Sequence, residues 1–376
     1  MPQVNFLRGV PADEALVPIA KALSEEYARN LEKYGAKLVQ YQTAGLSDFN
    51  GFIPLKAILA ERFQVEGDPS ARVICSNGGM ETFSLLLKSF PRGSQIATEA
   101  LTYDRVLSDI ARLDHQTVGV PLTDDGVDLE ALANALDAND ISIFYQIAYH
   151  HNPVGFTTSM ENLEGASKLC AERGVLHVLD VAYYELRYDG VDNELFPLDK
   201  YPETSSVVGS FTKTLSPGAK CGFGIFPEKV LQALTPVVAN TRLNPNYPTQ
   251  AAIHALMDSG FYDEHLKSLS ALYGPRMEAT NQALKTYLPN ASAPELTGGF
   301  FVGIALKGIS DEPQFIEALK TRGVVLAPPA VYAPGYKDQY VRETGAAFFR
   351  LTFPFFTPEE NTEGIAAIAE TYQELV

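Results

Sequence analysis

Residues 141–180 read ISIFYQIAYHHNPVGFTTSMENLEGASKLCAERGVLHVLD, and they carry the clearest structural signal in the chain. Ile141–Tyr145 and Leu176–Asp180 are short and almost continuously apolar, which is typical of strands buried on both faces. Between them, Met160–Gly174 has a helical pattern and ends at a glycine, a common helix stop. A strand, a helix and a second strand in this order predict parallel pairing within an α/β fold.

The same alternation extends to both sides of this stretch. Four further strands and one further helix are predicted, namely Arg72–Cys75, Gln95–Thr98, Thr117–Pro121, Ser206–Gly209 and the helix Pro54–Phe63. The apolar residues of that helix recur at helical spacing. This pattern predicts a large domain with a mostly parallel central sheet flanked by helices.

The last hundred residues have a different pattern, which predicts a smaller α+β domain. Its expected elements are a helix near 261–287, a strand after Gly298–Phe301, a helix near 312–322, strands near Val324 and 348–352, and a helix from Pro358. We therefore predict an N-terminal segment, 1–45, that packs with the small domain, a large domain, 46–260, and a C-terminal small domain, 261–376.

Composition and charge limit the classes of function. The 376 residues include 46% hydrophobic and 20% charged residues, which is ordinary for a globular protein. The formal net charge of -17 argues against binding to nucleic acid or to an anionic membrane, because polyanions bind basic surfaces. No apolar run is long enough for a transmembrane helix. Residues 1–11 lack a signal-peptide pattern, so we expect a cytoplasmic protein.

No metal site is expected from the sequence. The three cysteines, Cys75, Cys170 and Cys221, are too few and too widely spaced for a disulfide framework or a zinc site. His150 and His151 are adjacent, but no further ligands cluster near them in the sequence. A pair of histidines alone gives little support to a metal centre.

A lysine in a turn-rich segment is the first candidate for chemistry. Residues 209–224 read GSFTKTLSPGAKCGFG, and Lys213 lies there among apolar and small neighbours just after a predicted strand. A lysine in a desolvated, positively charged setting has a lowered pKa and can act as an amine nucleophile. Taken alone, the segment fits a surface lysine in a loop equally well.

Polar residues also follow three other predicted strands. Asp180 stands at the C-terminal end of its strand, where open α/β sheets bind ligands, and could hold a protonated heterocyclic nitrogen. Asn152 follows the preceding strand and could donate to a ring oxygen. Gly78 and Gly79 form a turn that opens a helix, and the free backbone N–H groups of such a turn suit a phosphate.

Together these motifs resemble the fold-type-I pyridoxal phosphate (PLP) enzymes, specifically the class I and II aminotransferases. Within that family the chain looks most similar to the α-aminoadipate aminotransferase branch. The resemblance runs from about Asn5 to the C-terminus. Its motifs occur in the expected order, namely the Gly78-Gly79 turn, Tyr103, Asn152-Pro-Val-Gly155, Asp180 with Tyr183, the Lys213 segment and Arg350.

The resemblance implies a role for each motif. Lys213 holds PLP as a Schiff base and then moves the Cα proton, while Asp180 pairs with the pyridinium nitrogen. Asn152 and Tyr183 hydrogen-bond the ring oxygen, and Tyr103 stacks on the ring, with a core tyrosine as the alternative. The phosphate ligands are the amides of Gly79 and Met80, Ser210, Lys220 and, from the partner subunit, Tyr41. The last of these implies a homodimer with shared active sites. Gly78 and Thr212 are further cofactor-binding residues.

Arg350 is the candidate for binding the substrate carboxylate. It is flanked by apolar, strand-like residues, and such an arginine needs an anionic partner because an unpaired buried charge is costly. A bidentate clamp on the α-carboxylate of an amino acid would supply one, as the resemblance implies. The alternative is a structural salt bridge with an Asp or Glu.

Several positions depart from the family pattern or add to it. Lys220 stands where the family usually has arginine, so the planar fork of a guanidinium is lost. His150 and His151 stand where relatives usually carry an aromatic residue and an amide. Either histidine could contact the substrate or act as an acid or base, and the alternative is a structural or surface role. Arg8 and Gly9 are expected to face the substrate, where Arg8 could bind a distal carboxylate or phosphate.

The resemblance leaves the outcome of the reaction open, because the cofactor does the chemistry and the protein steers it. Transfer of an amino group between an amino acid and a 2-oxo acid is the prediction. Elimination at the β or γ carbon, γ-replacement and cyclisation are the alternatives. A nicotinamide dehydrogenase is disfavoured because no GxGxxG follows an early strand. A PLP-binding transcription factor would need a DNA-binding extension, and we expect none before Asn5.

Overall fold

The computed structural model describes residues 4–328, 331–332 and 345–376, in which strands and helices alternate over most of the length. The strands are β1 (Val4–Asn5), β2 (Ser47–Asp48), β3 (Gly51–Phe52), β4 (Val73–Ser76), β5 (Gln95–Glu99), β6 (Gln116–Val120), β7 (Ile141–Ile147), β8 (Leu176–Asp180), β9 (Ser205–Ser210), β10 (Gly222–Ile225), β11 (Phe301–Lys307), β12 (Val324–Val325) and β13 (Ala346–Thr352). The helices are α1 (Asp13–Tyr34), α2 (Ala36–Val39), α3 (Ile53–Arg62), α4 (Pro69–Arg72), α5 (Gly79–Lys88), α6 (Asp104–Arg112), α7 (Leu129–Ala138), α8 (Met160–Arg173), α9 (Glu228–Arg242), α10 (Tyr247–Asp258), α11 (Phe261–Tyr287), α12 (Glu312–Thr321) and α13 (Pro358–Leu375).

The central sheet is mostly parallel, which confirms the predicted α/β class. Its strands lie in the order β4-β10-β9-β8-β7-β5-β6 within the described chain. The pair formed by β7 and β8 is parallel, with Ile143 opposite Leu176 and Ile147 opposite Asp180. Only β10 runs against its neighbours β4 and β9 among the strands of the described sheet.

Both faces of this sheet are buried, which explains its apolar strands. In β4, Val73 and Cys75 pack into one apolar cluster, while Ile74 packs into another. In β9, Val207 and Val208 divide between the same two clusters. Because successive side chains of a strand point to opposite faces, a strand covered on both sides needs an apolar residue at nearly every position.

Helix α8 shows how local sequence sets the ends of an element. Ser159 caps its start, and the Ser159 side chain accepts a hydrogen bond from the backbone N–H of Asn162. Gly174 ends the helix with φ of 67°, a left-handed conformation that glycine adopts at little cost. The predicted stop at Gly174 is confirmed.

A smaller body is built from the C-terminal residues. Its strands β11 and β13 pair antiparallel, with Gly303 opposite Arg350. One apolar cluster joins Leu269 of α11, Phe315 of α12 and Ile365 of α13 to these strands. Antiparallel strands packed against helices agree with the predicted α+β pattern.

The N-terminal segment packs on this smaller body. Its strand β1 pairs parallel with β12, with Val4 opposite Val324. Phe6 lies in the same apolar cluster, and its ring centroid is 5.8 Å from that of Phe356. The segment around Gly9 therefore continues from a strand that is packed on the small body. The domain boundaries at residues 45 and 260 stay predictions.

None of the described helices is both long and apolar enough to cross a bilayer. Cys75, Cys170 and Cys221 are buried and unpaired. Within the described residues, no group of three or more His, Cys, Asp or Glu side chains could hold a metal ion.

The carboxyl edge of the central sheet gathers the predicted site residues. Asp180 ends β8, opposite Ile147 of β7 and next to Val208 of β9. Asn152 follows β7, and Lys213 follows β9. This edge is where open α/β sheets place their ligands.

Candidate active site

Lys213 lies in the turn after β9, where its amine has an unusual setting. The amine Nζ donates to the backbone oxygen of Gly9 at 2.5 Å, and it lies 5.4 Å from the ring centroid of Phe300. Burial, and then the positive charge of Arg350, lower the pKa of Lys213 to about 8. No carboxylate pairs with this amine within the described residues. The setting is that of a nucleophilic lysine rather than of a surface lysine.

Asp180 presents a carboxylate at the end of β8. Its Oδ1 accepts the backbone N–H of Ala182 at 2.9 Å, and its Oδ2 accepts the hydroxyl of Tyr145 at 2.5 Å. Burial raises the pKa of Asp180, and the two hydrogen bonds oppose that rise. An ionised carboxylate has about four acceptor positions, so positions remain for a protonated ring nitrogen.

The turn before α5 has the properties of an anion site. Gly78 has φ of 124°, and the amides of Glu81 and Thr82 donate to its carbonyl oxygen. The N–H groups of Gly79 and Met80, in the first turn of the helix, have no intrahelical acceptor. They point out of a helix N-terminus, where the helix dipole also favours negative charge.

The glycines around this turn allow it to pack closely on the sheet. A Cβ at Gly79 would lie 3.3 Å from the carbonyl oxygen of Gly209. A Cβ at Gly222 would collide with the backbone of Gly78. A side chain at Gly222 would therefore displace the turn from β10.

Hydroxyl groups and a lysine complete the predicted phosphate ligands. The Ser210 hydroxyl donates to Thr212 Oγ1 at 2.9 Å, directly before Lys213. Lys220 is exposed and has φ of 51°, a left-handed conformation that is uncommon for lysine. Ser210 and Thr212 precede Lys213 in the chain, and Lys220 is exposed in the same loop.

Two residues that the sequence analysis missed hold the turn in place. Glu81 accepts the backbone N–H of Asn77 at 2.7 Å and the Asn77 side-chain amide at 2.9 Å. Arg242 donates to Glu81 at 2.8 Å and to the backbone oxygen of Cys75 at 2.7 Å. A glutamate three residues after the helix cap was a detectable signal, because it resembles a capping box. Arg242 is distant in sequence and gave no signal.

Three side chains, those of Tyr103, Tyr183 and Asn152, lie near Asp180 or Arg350. Burial raises the pKa of Tyr103, the nearby charge of Asp180 adds to this rise, and the charge of Arg350 opposes it. Tyr183 is buried and hydrogen-bonded to the Asn152 side chain. Both tyrosines therefore lie within electrostatic range of Asp180, which fits the predicted positions around a ring.

Arg350 reaches the same region from β13 of the smaller body. Its Nη1 donates to Asn152 Oδ1 at 3.0 Å, and its guanidinium lies 4.2 Å from the ring centroid of Phe301 and 4.7 Å from that of Tyr332. Its Nε is buried without a hydrogen-bond partner among the described residues. No Asp or Glu of the described chain forms an ion pair with it, so the alternative of a structural salt bridge has no support there.

The N-terminal segment places Gly9 in the site and Arg8 on its outside. A Cβ at Gly9 would lie 2.6 Å from the Phe301 ring, so a side chain there would push the segment away from Lys213. Arg8 is exposed, and its guanidinium lies 3.9 Å from the ring centroid of Phe355. Arg8 has no ion-pair partner among the described residues.

The two adjacent histidines do not face the amine of Lys213. His151 is fully buried, its Nε2 lies 2.8 Å from Glu99 Oε2, and its Nδ1 accepts the backbone N–H of Val154 at 3.3 Å. The His150 Nε2 lies 2.9 Å from the Asn193 amide, and burial lowers the pKa of His150 to about 3. These ring nitrogens already form hydrogen bonds with other groups of the protein, so the structure gives no support to a direct substrate contact by either ring.

Tyr41 lies apart from the other predicted residues of its own chain. It is 65% exposed in the segment between α2 and β2. Its hydroxyl makes no hydrogen bond within the described chain. Its side chain is accessible to a partner subunit.

The donor set as a whole fits PLP. It offers an unpaired amine, a carboxylate with free acceptor positions, and an anion-binding helix terminus. These groups come from the ends of β9, β8 and β4, which lie in one sheet. Each polar part of the cofactor therefore has a chemically matched group at the same sheet edge.

Comparisons with known proteins agree with this geometry. A family model described as aminotransferase class I and II matches residues 3–368. The chain is 28% identical to aromatic-amino-acid aminotransferase 1 of Thermococcus litoralis, over 99% of this chain and 88% of that protein. It is also 28% identical to 2-aminoadipate transaminase of Thermus thermophilus, over 99% of this chain and 91% of that protein.

A solved structure shows the same fold. The crystal structure of LysN, the alpha-aminoadipate aminotransferase of Thermus thermophilus, matches with a TM-score of 0.85 at 26% identity. The match covers 99% of this chain and 92% of that one. LysN is complexed there with N-(5'-phosphopyridoxyl)-L-leucine.

Proposed function

The chain belongs to the class I and II aminotransferases, and on this basis we propose that Lys213 is the residue that carries PLP. The enzyme transfers amino groups between an amino acid and a 2-oxo acid, with PLP as cofactor. When bound, PLP supplies an electron sink for the negative charge that the departing Cα proton leaves behind. Elimination, γ-replacement and cyclisation have no observation in their favour.

The amine of Lys213 is the observation that carries the proposal. With a pKa of about 8, roughly a tenth of this amine is unprotonated at pH 7, compared with a far smaller fraction for an ordinary lysine. The unprotonated amine would hold the cofactor, and it could accept a proton from the substrate Cα. Its single hydrogen bond, to a backbone oxygen of Gly9, can be exchanged without leaving a charge unpaired.

The positions of the polar groups support the remaining cofactor contacts of the proposal. Asp180 holds the ring nitrogen in its protonated form, Asn152 and Tyr183 donate to the ring oxygen, and Tyr103 covers one face of the ring. The phosphate is bound by Gly78, Gly79, Met80, Ser210, Thr212 and Lys220. The free N–H groups at the start of α5 support this assignment most directly.

Arg350 binds the α-carboxylate of the amino acid in this proposal. A buried guanidinium without an acidic partner gains most from an incoming carboxylate, because two charge-assisted hydrogen bonds can form in a fixed geometry. Its Nε offers a donor that none of the described residues accepts, and its Nη1 contact with Asn152 holds it in place. The rings of Phe301 and Tyr332 on the guanidinium restrict it further.

Arg8 is proposed as a second, weaker carboxylate contact. The N-terminal segment that carries it also brings Gly9 to Lys213, so the Arg8 side chain starts close to the site. An exposed arginine without an acidic partner can reach a distal carboxylate of a dicarboxylic amino acid or 2-oxo acid. His150 and His151 are assigned supporting roles behind Asn152 instead.

A homodimer in the cytoplasm completes the proposal. Tyr41 would then reach the phosphate of the partner subunit. Its exposed ring, together with the exposed side chains of Val39 and Leu243, supports an interface on this side of the molecule. Cross-linking between Tyr41→Cys on one subunit and Lys220→Cys on its partner would test the arrangement without depending on activity.

The decisive experiment locates the cofactor. The purified protein is loaded with PLP and reduced with borohydride, and the labelled peptide is identified by mass spectrometry. We expect the phosphopyridoxyl group on Lys213, together with a visible absorption band that Lys213→Ala lacks. A label on Lys220, or on any other lysine, would contradict the assignment.

A matched control separates chemistry from folding. Lys220→Ala removes an exposed lysine from the same loop and should keep the visible band with weaker PLP binding. Amino donors mixed with the loaded protein should yield the corresponding 2-oxo acids. Failure to form any 2-oxo acid with a broad panel of amino acids would count against the proposed substrates.

A further inference from the structure

Tyr145 contacts Asp180 from the neighbouring strand. Its hydroxyl lies 2.5 Å from Asp180 Oδ2. On the basis of the proposed role of Asp180, we propose that Tyr145 is a positioning residue that keeps the Asp180 carboxylate charged and turned towards the cofactor nitrogen.

The position of the Tyr145 ring is fixed by the fold. Tyr145 lies on β7 and is fully buried, and its ring centroid is 4.8 Å from that of Phe83. In the parallel pairing it stands opposite Val178, two residues before Asp180. Residues paired in this way share one face of the sheet, so the Tyr145 ring lies beside the Asp180 side chain and its hydroxyl reaches the carboxylate.

The direction of the hydrogen bond links this contact to the charge of Asp180. An ionised carboxylate can only accept, so the Tyr145 hydroxyl donates to Oδ2 while the Ala182 N–H donates to Oδ1. The pKa of Tyr145 is raised well above its usual value, so the hydroxyl keeps its proton. Two donors from fixed positions hold the carboxylate plane and favour its ionised form.

Other groups around Asp180 make this donor necessary. Glu99 raises the pKa of Asp180, and it is fully buried with its Oε2 near His151 and the backbone N–H of Ile147. His151 lowers the pKa of Asp180, but it is the smallest of the named causes. Without the Tyr145 hydroxyl, burial and Glu99 would both favour the neutral acid.

Two further tyrosines lie within electrostatic range of Asp180. Tyr103 and Tyr183 are close enough for the charge of Asp180 to raise the pKa of each. Within the described chain no hydrogen bond joins either hydroxyl to Asp180, so Tyr145 is the tyrosine that supplies a donor to this carboxylate.

The test uses Tyr145→Phe in the full-length protein and measures PLP affinity across pH. Losing a hydrogen bond to a charged group should weaken PLP binding by roughly ten- to a hundredfold. As pH falls, affinity should decline at a higher pH than in the wild type, because the pKa of Asp180 rises in the variant. In an Asp180→Asn background, the same substitution should change PLP affinity little.

Tyr149→Phe is the matched control. Tyr149 is equally buried, and its hydroxyl contacts backbone groups of Glu194 and Phe196 rather than a carboxylate. It should lose thermal stability while the pH dependence of PLP binding stays as in the wild type. If Tyr145→Phe behaves in the same way, Tyr145 is a core tyrosine and the proposal is wrong.

Glu99→Gln gives a second, independent readout. Because Glu99 opposes the ionisation of Asp180, this change should move the decline in PLP affinity to lower pH. Combined with Tyr145→Phe, it should restore part of the lost affinity, which a packing defect would not allow. The absence of this rescue would overturn the proposal. If the wild-type protein binds no PLP at any pH, the proposed function itself fails.

Discussion

Two buried arginines lie at the edges of the site, and they differ in what neutralises them. At the phosphate turn, the side chain of Arg242 is largely buried and donates to the Glu81 carboxylate. On the substrate side, Arg350 is buried and contacts an amide oxygen and two aromatic rings, with no acidic partner in the described chain. The difference in pairing indicates that Arg242 serves the structure, whereas Arg350 is prepared for an anion from outside.

The largest expected effect comes from removing Arg350, which has no acidic partner among the described residues. Arg350→Gln should lower kcat/KM for amino acids by about two to three orders of magnitude, because a buried charge-assisted contact with the substrate is lost. PLP affinity and thermal stability should stay near those of the wild type, since no ion pair in the described protein is broken. Steady-state kinetics and calorimetry check both parts. A large decrease in the unfolding temperature together with the loss of activity would show that Arg350, like Arg242, has a structural role.

The next largest effect concerns the pH dependence of PLP uptake, which should differ between variants of the two arginines. Only the unprotonated amine of Lys213 reacts, so the uptake rate should increase about tenfold per pH unit up to a midpoint near 8 and then level off. The charge of Arg350 lowers that pKa, so Arg350→Gln should move the midpoint to higher pH. Arg242→Ala should leave it in place. Stopped-flow measurements of PLP uptake by the apoproteins test this prediction. The same midpoint in the wild type and in Arg350→Gln would contradict it.

Arg242→Ala should act on the structure of the phosphate turn. Glu81 is 30% exposed, so solvent reduces the effect, and we expect the free energy of unfolding to fall by about 1–2 kcal/mol. PLP affinity should fall with it, while KM for the amino acid stays unchanged. Denaturant titration of the single variants and of the double variant with Glu81→Gln measures the coupling. Additive effects in that cycle would show that the pair is not a unit.

The smallest effect should come from the exposed Arg8. Arg8→Ala should raise KM for a dicarboxylic 2-oxo acid about three- to fivefold, since exposed ion pairs contribute at most about 1 kcal/mol. KM for a monocarboxylic 2-oxo acid should stay constant. Kinetics with both acids at two salt concentrations test this, because screening should reduce only the first effect. Equal changes for both acids would exclude a distal carboxylate contact.

The sequence predicted those parts of the molecule whose signals are local. The strand that ends at Asp180, the helix stop at Gly174 and the turn at Gly78 each have a short pattern with a physical cause. The antiparallel strand β10 was not predicted, because Gly222 and Gly224 give a segment of four residues little strand character. Its place between β4 and β9 depends on close packing that a pattern along the chain does not record.

The histidines and Tyr145 show why the site could be predicted only in part. His151 owes its role to Glu99, 52 residues earlier, and His150 owes its role to Asn193, 43 residues later. Tyr145 resembles any other residue of an apolar strand, and only the register of β7 on β8 brings it to Asp180. Contacts of this kind arise from strand pairing and loop packing, so they become visible only in three dimensions.

The close packing of glycines at the phosphate turn limits where this scaffold can diversify. A side chain at Gly222 would meet the turn itself, and one at Gly209 would meet the ring of Phe223. Mutations at Gly209 or Gly222 would therefore weaken cofactor binding before they could change the substrate preference. The substrate side, with Arg8 and Arg350, is formed by other parts of the chain, the N-terminal segment and β13. New substrate preferences could therefore be selected or engineered there, at Arg8 first, while cofactor retention is left intact.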